Sequence, residues 1–158
     1  MSAASNYLEL EVLDHVLGEG ARNFTSPAAL YVALFTGTAG TVLTALESGD
    51  NTTSGTGNWG YYEVTTSGTA YARQSVDFAA ASSGSSASSS TVTFPVATAN
   101  YDSTTGSLGA TVTCIAIVDH ATAVNGNVLF FGQLTTSKTV SSGDQFTVST
   151  GNLTVSLA

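Results

Sequence analysis

The sequence predicts a mainly β fold: an antiparallel two-sheet β-sandwich with jelly-roll or Greek-key connections and one N-terminal amphipathic helix. The clearest observation lies in residues 128–157, where apolar side chains recur two apart, as Phe146 and Val148 and then Leu153 and Val155 do. That spacing is the period of a strand with one buried face. Polar turns that contain glycine separate these runs, and the same pattern recurs through the middle of the chain, so antiparallel β is the expected class.

Composition limits the classes of function that the chain can serve. The 158 residues predict a single domain, residues 1–158. Charged residues make up only 9% of the chain, and three basic residues stand against eleven acidic ones, for a formal net charge of −8. Because three cations can neutralise only a few phosphates, we expect no nucleic-acid binding and no attachment to an anionic membrane. No bilayer-spanning run and no secretory signal is visible, so we expect a protein made in a cytoplasm.

One helix is predicted, over residues 5–18. Asn6 is the expected N-cap, with Glu9 three residues later as in a capping box, and Gly18 or Gly20 is expected to end the helix.

The predicted helix has a broad apolar side. At 100° per residue its apolar side chains spread over about 200°, wider than one sheet face requires. They are Leu8, Leu10, Val12, Leu13, Val16 and Leu17. Glu9 falls inside this arc. Its side chain either reaches solvent at the frayed first turn or pairs with a cation such as Arg22. Two interpretations stay open: a helix packed across its own sheet, or a helix that also docks on a neighbouring subunit.

The strands follow in chain order. Residues 29–36, ALYVALFT, are apolar on both faces and predict a central strand. Residues 61–66 and 70–78 predict a hairpin joined by a Ser-Gly-Thr turn. The other predicted strands are 91–96, 111–119, 128–134 after an Asn-Gly turn, and the alternating runs that close the chain. Turns or polar loops are expected at 36–41, 47–60, 79–90 (or an extended edge there) and 97–110.

Two side chains within the predicted strands are expected to have structural roles. Arg73 lies mid-strand in a chain with few cations, so we expect it to pair with a carboxylate, either Asp77 or Glu63. Cys114 lies in an apolar run and is expected to be a small core residue, with no disulfide partner in this chain.

Three aromatic residues follow the polar loop 47–60: Trp59, Tyr61 and Tyr62. Such a cluster can stack on a sugar ring or seal a protein contact. It can equally anchor the loop on the core, and the sequence leaves both interpretations open.

The sequence predicts no catalytic residues, no cofactor-binding residues and no metal site. His15 and His120 each follow an aspartate, but no nucleophile elbow accompanies them. Two histidines and one cysteine offer no zinc spacing. Asp50 and Asp144 lie in loops, yet no run of alternating acids resembles a calcium loop.

Five stretches form an ordered set: NYLELEVLDHVLG, SPAALYVALFTG, YARQSVDF, TFPVATA and the closing NVLFFGQLTTSKTVSSGDQFTVSTGNLTVSL. No one of them is specific, but together they resemble a family of small tailed-bacteriophage virion proteins. The resemblance covers most of the chain, with residues 38–60 and 79–90 least matched. Members are labelled tail-fibre, minor structural or capsid decoration proteins, so the resemblance implies a virion component.

The function predicted from these features is that of a non-enzymatic capsid cement or decoration protein. It would bridge subunits of the major capsid protein, stabilise the phage head and lie on the capsid surface of the virion after synthesis in the host cytoplasm. A homo-oligomer is expected, with a trimer favoured. The predicted interface residues are Leu8, Val12, Val16, Trp59 and Tyr61.

Two alternatives accompany this prediction. The first is a phage tail-fibre or tail-tip head domain that binds host surface glycan through Trp59, Tyr61 and Tyr62. The second is a glycan hydrolase, which needs two carboxylates flanking a cleft. Its candidate acids are Glu47, Asp50 and Glu63.

Overall fold

A computed structural model of the protein describes residues 3–18, 24–49, 51, 55–104 and 106–156. These residues form two α-helices, α1 (Asn6–Leu17) and α2 (Ala39–Ser48), and a 3₁₀ turn at Trp59–Tyr61. The strands of the described part are β1 (Ala3–Ala4), β2 (Leu30–Thr36), β3 (Gln74–Val76), β4 (Ser85–Ala87), β5 (Val92–Thr93), β6 (Thr111–Val118), β7 (Val128–Thr139), β8 (Thr147–Val148) and β9 (Thr154–Ser156). Their pairing is antiparallel, so the predicted mainly β class is confirmed.

A five-stranded sheet with the order β1-β7-β6-β2-β3 forms the centre of the molecule. Successive side chains of β2 point to opposite faces of this sheet, as strand geometry requires. Val32 and Leu34 enter one hydrophobic core, whereas Ala33 and Phe35 enter the other, and all four are fully buried. The prediction of a central strand that is apolar on both faces is therefore confirmed.

A second β layer covers one face of the central sheet. It consists of two short ladders, β4 with β9 and β5 with β8. Aromatic rings fill the space between the layers: Phe94 stacks on Tyr71 at a centroid distance of 5.9 Å and meets Phe146 edge-on at 5.8 Å. The sandwich prediction is confirmed, with the second layer divided into two ladders, and β4 lies in the segment expected to be a loop or an extended edge.

Helix α2 covers the opposite face of the sheet. Val42, Ala45 and Leu46 are buried on it at helical spacing, against Trp59 and Tyr62. The sequence pattern did not predict this helix, because a glycine and β-branched residues lower the helix propensity of its first two turns. Burial of its apolar stripe outweighs that propensity.

Helix α1 is attached to β7 at its first turn. Ser5 is its N-cap, because the Ser5 hydroxyl accepts a hydrogen bond from the Leu8 N–H at 3.3 Å and donates to the Val128 carbonyl. The prediction of Asn6 as N-cap is thus wrong by one residue. Gly18 ends the helix in the left-handed conformation, as predicted.

The predicted hairpin of 61–66 with 70–78 does not form. Glu63 instead bridges Phe35, and β3 pairs with β2. The two segments turn their charged side chains, Glu63 and Arg73, into the interior toward each other. Their interaction is therefore made by side chains rather than by a backbone ladder.

We predict that Leu46→Ala lowers the free energy of unfolding by about 2–5 kcal/mol, because it leaves a cavity between α2 and the sheet. Leu17→Ala is the matched control: this leucine of α1 is 72% exposed, and its truncation is expected to change stability by less than about 0.5 kcal/mol. Urea denaturation followed by Trp59 fluorescence measures both variants. Equal losses would contradict the different burial of the two helices.

Candidate functional site

Helix α1 turns its apolar side toward solvent. Its half-buried positions include the polar residues Tyr7, Glu11 and Asp14, and Leu8 is its only buried apolar side chain. Five apolar residues of the same helix are exposed, namely Leu10 (64%), Val12 (39%), Leu13 (53%), Val16 (72%) and Leu17 (72%). We call these five residues the α1 face. Soluble monomers rarely expose so contiguous an apolar surface unless it makes a contact.

The attachment of α1 explains this orientation. The strand before it, β1, pairs with Phe130 and Phe131 of β7, and the Ser5 cap fixes the first turn to the same strand. Tyr7 then stands beside Gly49 at the end of α2. Burial raises the pKa of Tyr7, and the nearby carboxylates of Glu11 and Asp119 raise it further. The polar side of α1 therefore faces the protein.

An apolar groove of about 610 Å³ lies beside the α1 face. We call it the α1 groove. Helix α1 forms one wall, and β1, β7 and the segment that leads into and begins β2 form the rest. Its lining residues are Ala4, Leu8, Glu9, Val12, Leu13, Phe24, Ser26, Pro27, Leu30, Leu129 and Phe130. Glu9 is the only ionisable group among these lining residues.

Glu9 is exposed, and within the described ranges no side-chain hydrogen bond or ion pair engages its carboxylate. The partner suggested by the sequence, Arg22, lies outside the described residues.

A buried ion pair lies elsewhere in the molecule, close to the rings of Trp59 and Tyr71. Arg73 binds Glu63 in a two-pronged contact, Nε to Oε1 at 2.7 Å and Nη2 to Oε2 at 2.8 Å. Both side chains have no exposed surface. Of the two carboxylates predicted as partners of Arg73, the structure selects Glu63, and the predicted pairing is confirmed.

The same ion pair holds the loop between β6 and β7. Nη1 of Arg73 donates to the carbonyls of His120 at 2.7 Å and Asn125 at 2.8 Å. Oε2 of Glu63 accepts from the N–H of Val124 at 2.6 Å. Val124 has a φ of 60°, a conformation that a β-branched residue seldom adopts, so these contacts stabilise an otherwise costly turn.

Two aromatic residues complete the environment of the pair. The guanidinium of Arg73 lies over the ring of Trp59, 5.5 Å from its centroid. The hydroxyl of Tyr71 donates to Oε1 of Glu63 and accepts the N–H of Leu34, each at 3.1 Å. Burial raises the pKa of Tyr71 well above its ordinary value, and the negative charge of Glu63 acts in the same direction.

The predicted interface residues separate into two groups. Leu8, Val12 and Val16 all lie on α1, where Leu8 and Val12 line the groove and Val16 is highly exposed. Trp59 is completely buried in the core, and Tyr61 is half-buried. Neither of these two aromatic residues lines the α1 groove.

The prediction that places Trp59 on a binding surface is therefore corrected. Its ring packs edge-on against Phe35 at 6.2 Å and under Arg73, and Tyr62 is only 3% exposed. A sugar cannot stack on rings whose faces are already covered. The aromatic residues anchor the loop on the core, which is the other interpretation that the sequence left open.

The sequence pattern did not predict the groove-wall residues outside α1, among them Phe24, Pro27, Leu30 and Phe130. No sequence signal identifies them, because segments that are distant in the chain meet at the groove only in the tertiary structure. The broad apolar arc of the helix was the signal for the rest of the site.

The carboxylates proposed for a glycan hydrolase do not form a pair. Glu63 is engaged by Arg73 in the interior, whereas Glu47 lies exposed near the end of α2. Asp50 lies outside the described residues. Across the described part of the chain, no cluster of three or more His, Cys, Asp or Glu side chains is placed to hold a metal ion.

The exposed apolar side of α1 indicates a protein that contacts another chain. Comparison with protein families agrees: the family model described as podophage GP4 fiber I protein gp80 matches residues 3–156. The chain belongs to this family of phage fibre proteins, and is thus a structural protein of a phage virion. No curated protein matches the chain significantly. Among the described residues, no helix is long and apolar enough to cross a membrane.

We predict that Arg73→Met lowers the free energy of unfolding by about 3–5 kcal/mol, because it leaves the Glu63 carboxylate buried without its cation. Lys138→Met is the matched control, since Lys138 is exposed on β7, and we expect a change of less than about 0.5 kcal/mol. Chemical denaturation measures both variants. Equal, small effects would contradict a stabilising role of the pair.

A second prediction concerns alkaline pH. The pKa of Tyr71 is raised in the folded state, so its contribution to stability is complete below the unfolded pKa of 10.0 and is lost as pH rises above it. Stability should therefore fall above about pH 10, and less steeply in Tyr71→Phe than in the wild type. Denaturant titrations at several pH values give the slope for each protein. An unchanged slope in the variant would contradict the assignment to Tyr71.

Proposed function

We propose that this protein is a non-enzymatic subunit of a podophage fibre, held in the virion through the α1 face and the α1 groove. The single observation that carries this proposal is an apolar helix side left open in a chain that belongs to a fibre protein family. The interface residues predicted from the sequence, Leu8, Val12 and Val16, are part of the proposed contact. Leu10, Leu13 and Leu17 extend it.

Energetics support a contact at this position. Complete burial of a leucine or valine side chain stabilises an association by about 1.5–3 kcal/mol. Val16 and Leu17 are each 72% exposed, so a partner that covers them gains most of that free energy. The adjoining groove of about 610 Å³ offers a concave apolar surface to the same partner. Helix and groove together provide an anchor in a compact area.

Capsid cement is the second candidate function. A protein that bridges subunits of the major capsid protein also needs an uncovered apolar surface, and the α1 face supplies one. The acidic surface that results from so few basic residues is complementary to a basic patch on a partner in either function. The predicted homotrimer stays a prediction, for which sedimentation of the purified chain is the measurement. Glycan binding through Trp59 is not carried forward, because that ring is buried.

Immunogold labelling of intact virions with antibody against this chain tests the location. We expect gold on the fibres, because the chain matches a fibre protein family over residues 3–156. Gold spread evenly over the head would contradict the fibre proposal and support the cement function. If the virions carry no gold and immunoblotting of the same particles does not detect the chain, both the fibre proposal and the cement function are contradicted.

Substitutions on α1 test the proposed contact. Val16→Asp should reduce incorporation into virions at least about tenfold, because a carboxylate replaces a side chain that the partner must bury, while stability in solution changes by less than about 0.5 kcal/mol. Val96→Asp is the matched control: Val96 is 51% exposed and lies in the segment after β5. Quantitative immunoblots of purified particles measure incorporation. Equal incorporation of the two variants would contradict an α1 contact.

A further inference from the structure

Glu9 lies inside the apolar side of α1. At 100° per residue its direction falls between those of Val16 and Leu13, and it lines the α1 groove beside Val12. A partner that covers these neighbours also covers the carboxylate. Covering a carboxylate without a cation costs far more than covering a methyl group gains. The occupant of the site must therefore bring a positive charge to Glu9.

Among the residues that the structure describes, a second copy of this chain offers few cations to do so. In the described residues the basic side chains are Arg73 and Lys138, and Arg73 is already buried against Glu63. Lys138 lies near the other end of β7 from the groove residue Phe130: their partners on β6, Val112 and Ile117, are five residues apart, or about 17 Å at the rise of a strand.

Symmetry adds a further obstacle to self-association. A two-fold contact between α1 faces brings the same surface patch of each copy together, so two Glu9 carboxylates would share one apolar interface. Like charges in such a place destabilise it. The chain as a whole carries a formal net charge of −8, which favours a basic partner at this face.

We infer that the α1 face is covered by a different virion protein, whose apolar contact surface carries one lysine or arginine that pairs with Glu9. This inference rests on the proposed function and adds the chemistry of the partner to it. The apolar residues supply affinity, and Glu9 selects a partner with a matching cation. The pair also sets the register, because a shift along the helix leaves both charges buried and unpaired.

Purified chain and phage particles assembled without it provide the test. Glu9→Gln is expected to weaken binding to these particles at least about 30-fold, because it leaves the partner's cation buried without a counter-charge. Glu11→Gln is the matched control with the same change in net charge, and it lies on the half-buried side of α1. Its affinity is expected to equal that of the wild type. Co-sedimentation of labelled chain with the particles measures both.

Each other result overturns the inference in a distinguishable way. If the wild-type chain binds and Glu9→Gln binds equally well or more tightly, the inferred charge pair is contradicted, while the proposed contact through α1 still holds. Failure of the wild-type chain to bind would overturn the proposed function as well. An equal loss in Arg22→Gln would place the cation within this chain. Self-association that Val16→Asp abolishes and Glu9→Gln strengthens would identify a second copy as the occupant.

Discussion

The ion pair between Arg73 and Glu63 is the interaction on which the rest of the structure depends. It joins the segment that bridges β2 to the segment leading into β3, ten residues later, and joins both to the turn between β6 and β7, which is 47 residues further along at His120. Removing two charges from water costs several kcal/mol for each ion, and only complete hydrogen bonding offsets that cost. Here the carboxylate accepts from Arg73, Tyr71 and Val124.

This pairing has a consequence for the surface. One of the three basic residues is committed to the core, so the outside of the protein is strongly acidic and depends on Ser, Thr, Asn and Gly for its hydration. Such a surface makes little use of salt bridges. Specific contacts with other proteins must then come from apolar surface and from carboxylates that meet a partner's cations, and α1 provides both.

The two helices have similar sequence patterns but opposite orientations of their apolar sides. Both have apolar residues at helical spacing, yet the stripe of α2 is buried against the sheet whereas that of α1 faces solvent. The cap and the pairing of β1 with β7 hold α1 at the edge of the sheet, with its polar side inward. Folding alone therefore does not bury the α1 face, and assembly is the remaining way to do so.

Local patterns in the sequence by themselves determined the strand at β2, the end of the first helix at a glycine, the antiparallel class and the need of Arg73 for a carboxylate. These follow from alternation, from glycine geometry and from the cost of an unpaired buried charge, which act over a few residues. Tertiary structure decided that Glu63 is the partner, that Trp59 is buried and that α1 turns its apolar side outward. Those outcomes depend on tertiary contacts between separate segments, ten residues apart for Glu63 and Arg73 and 123 residues apart for Ser5 and Val128, which no local pattern encodes.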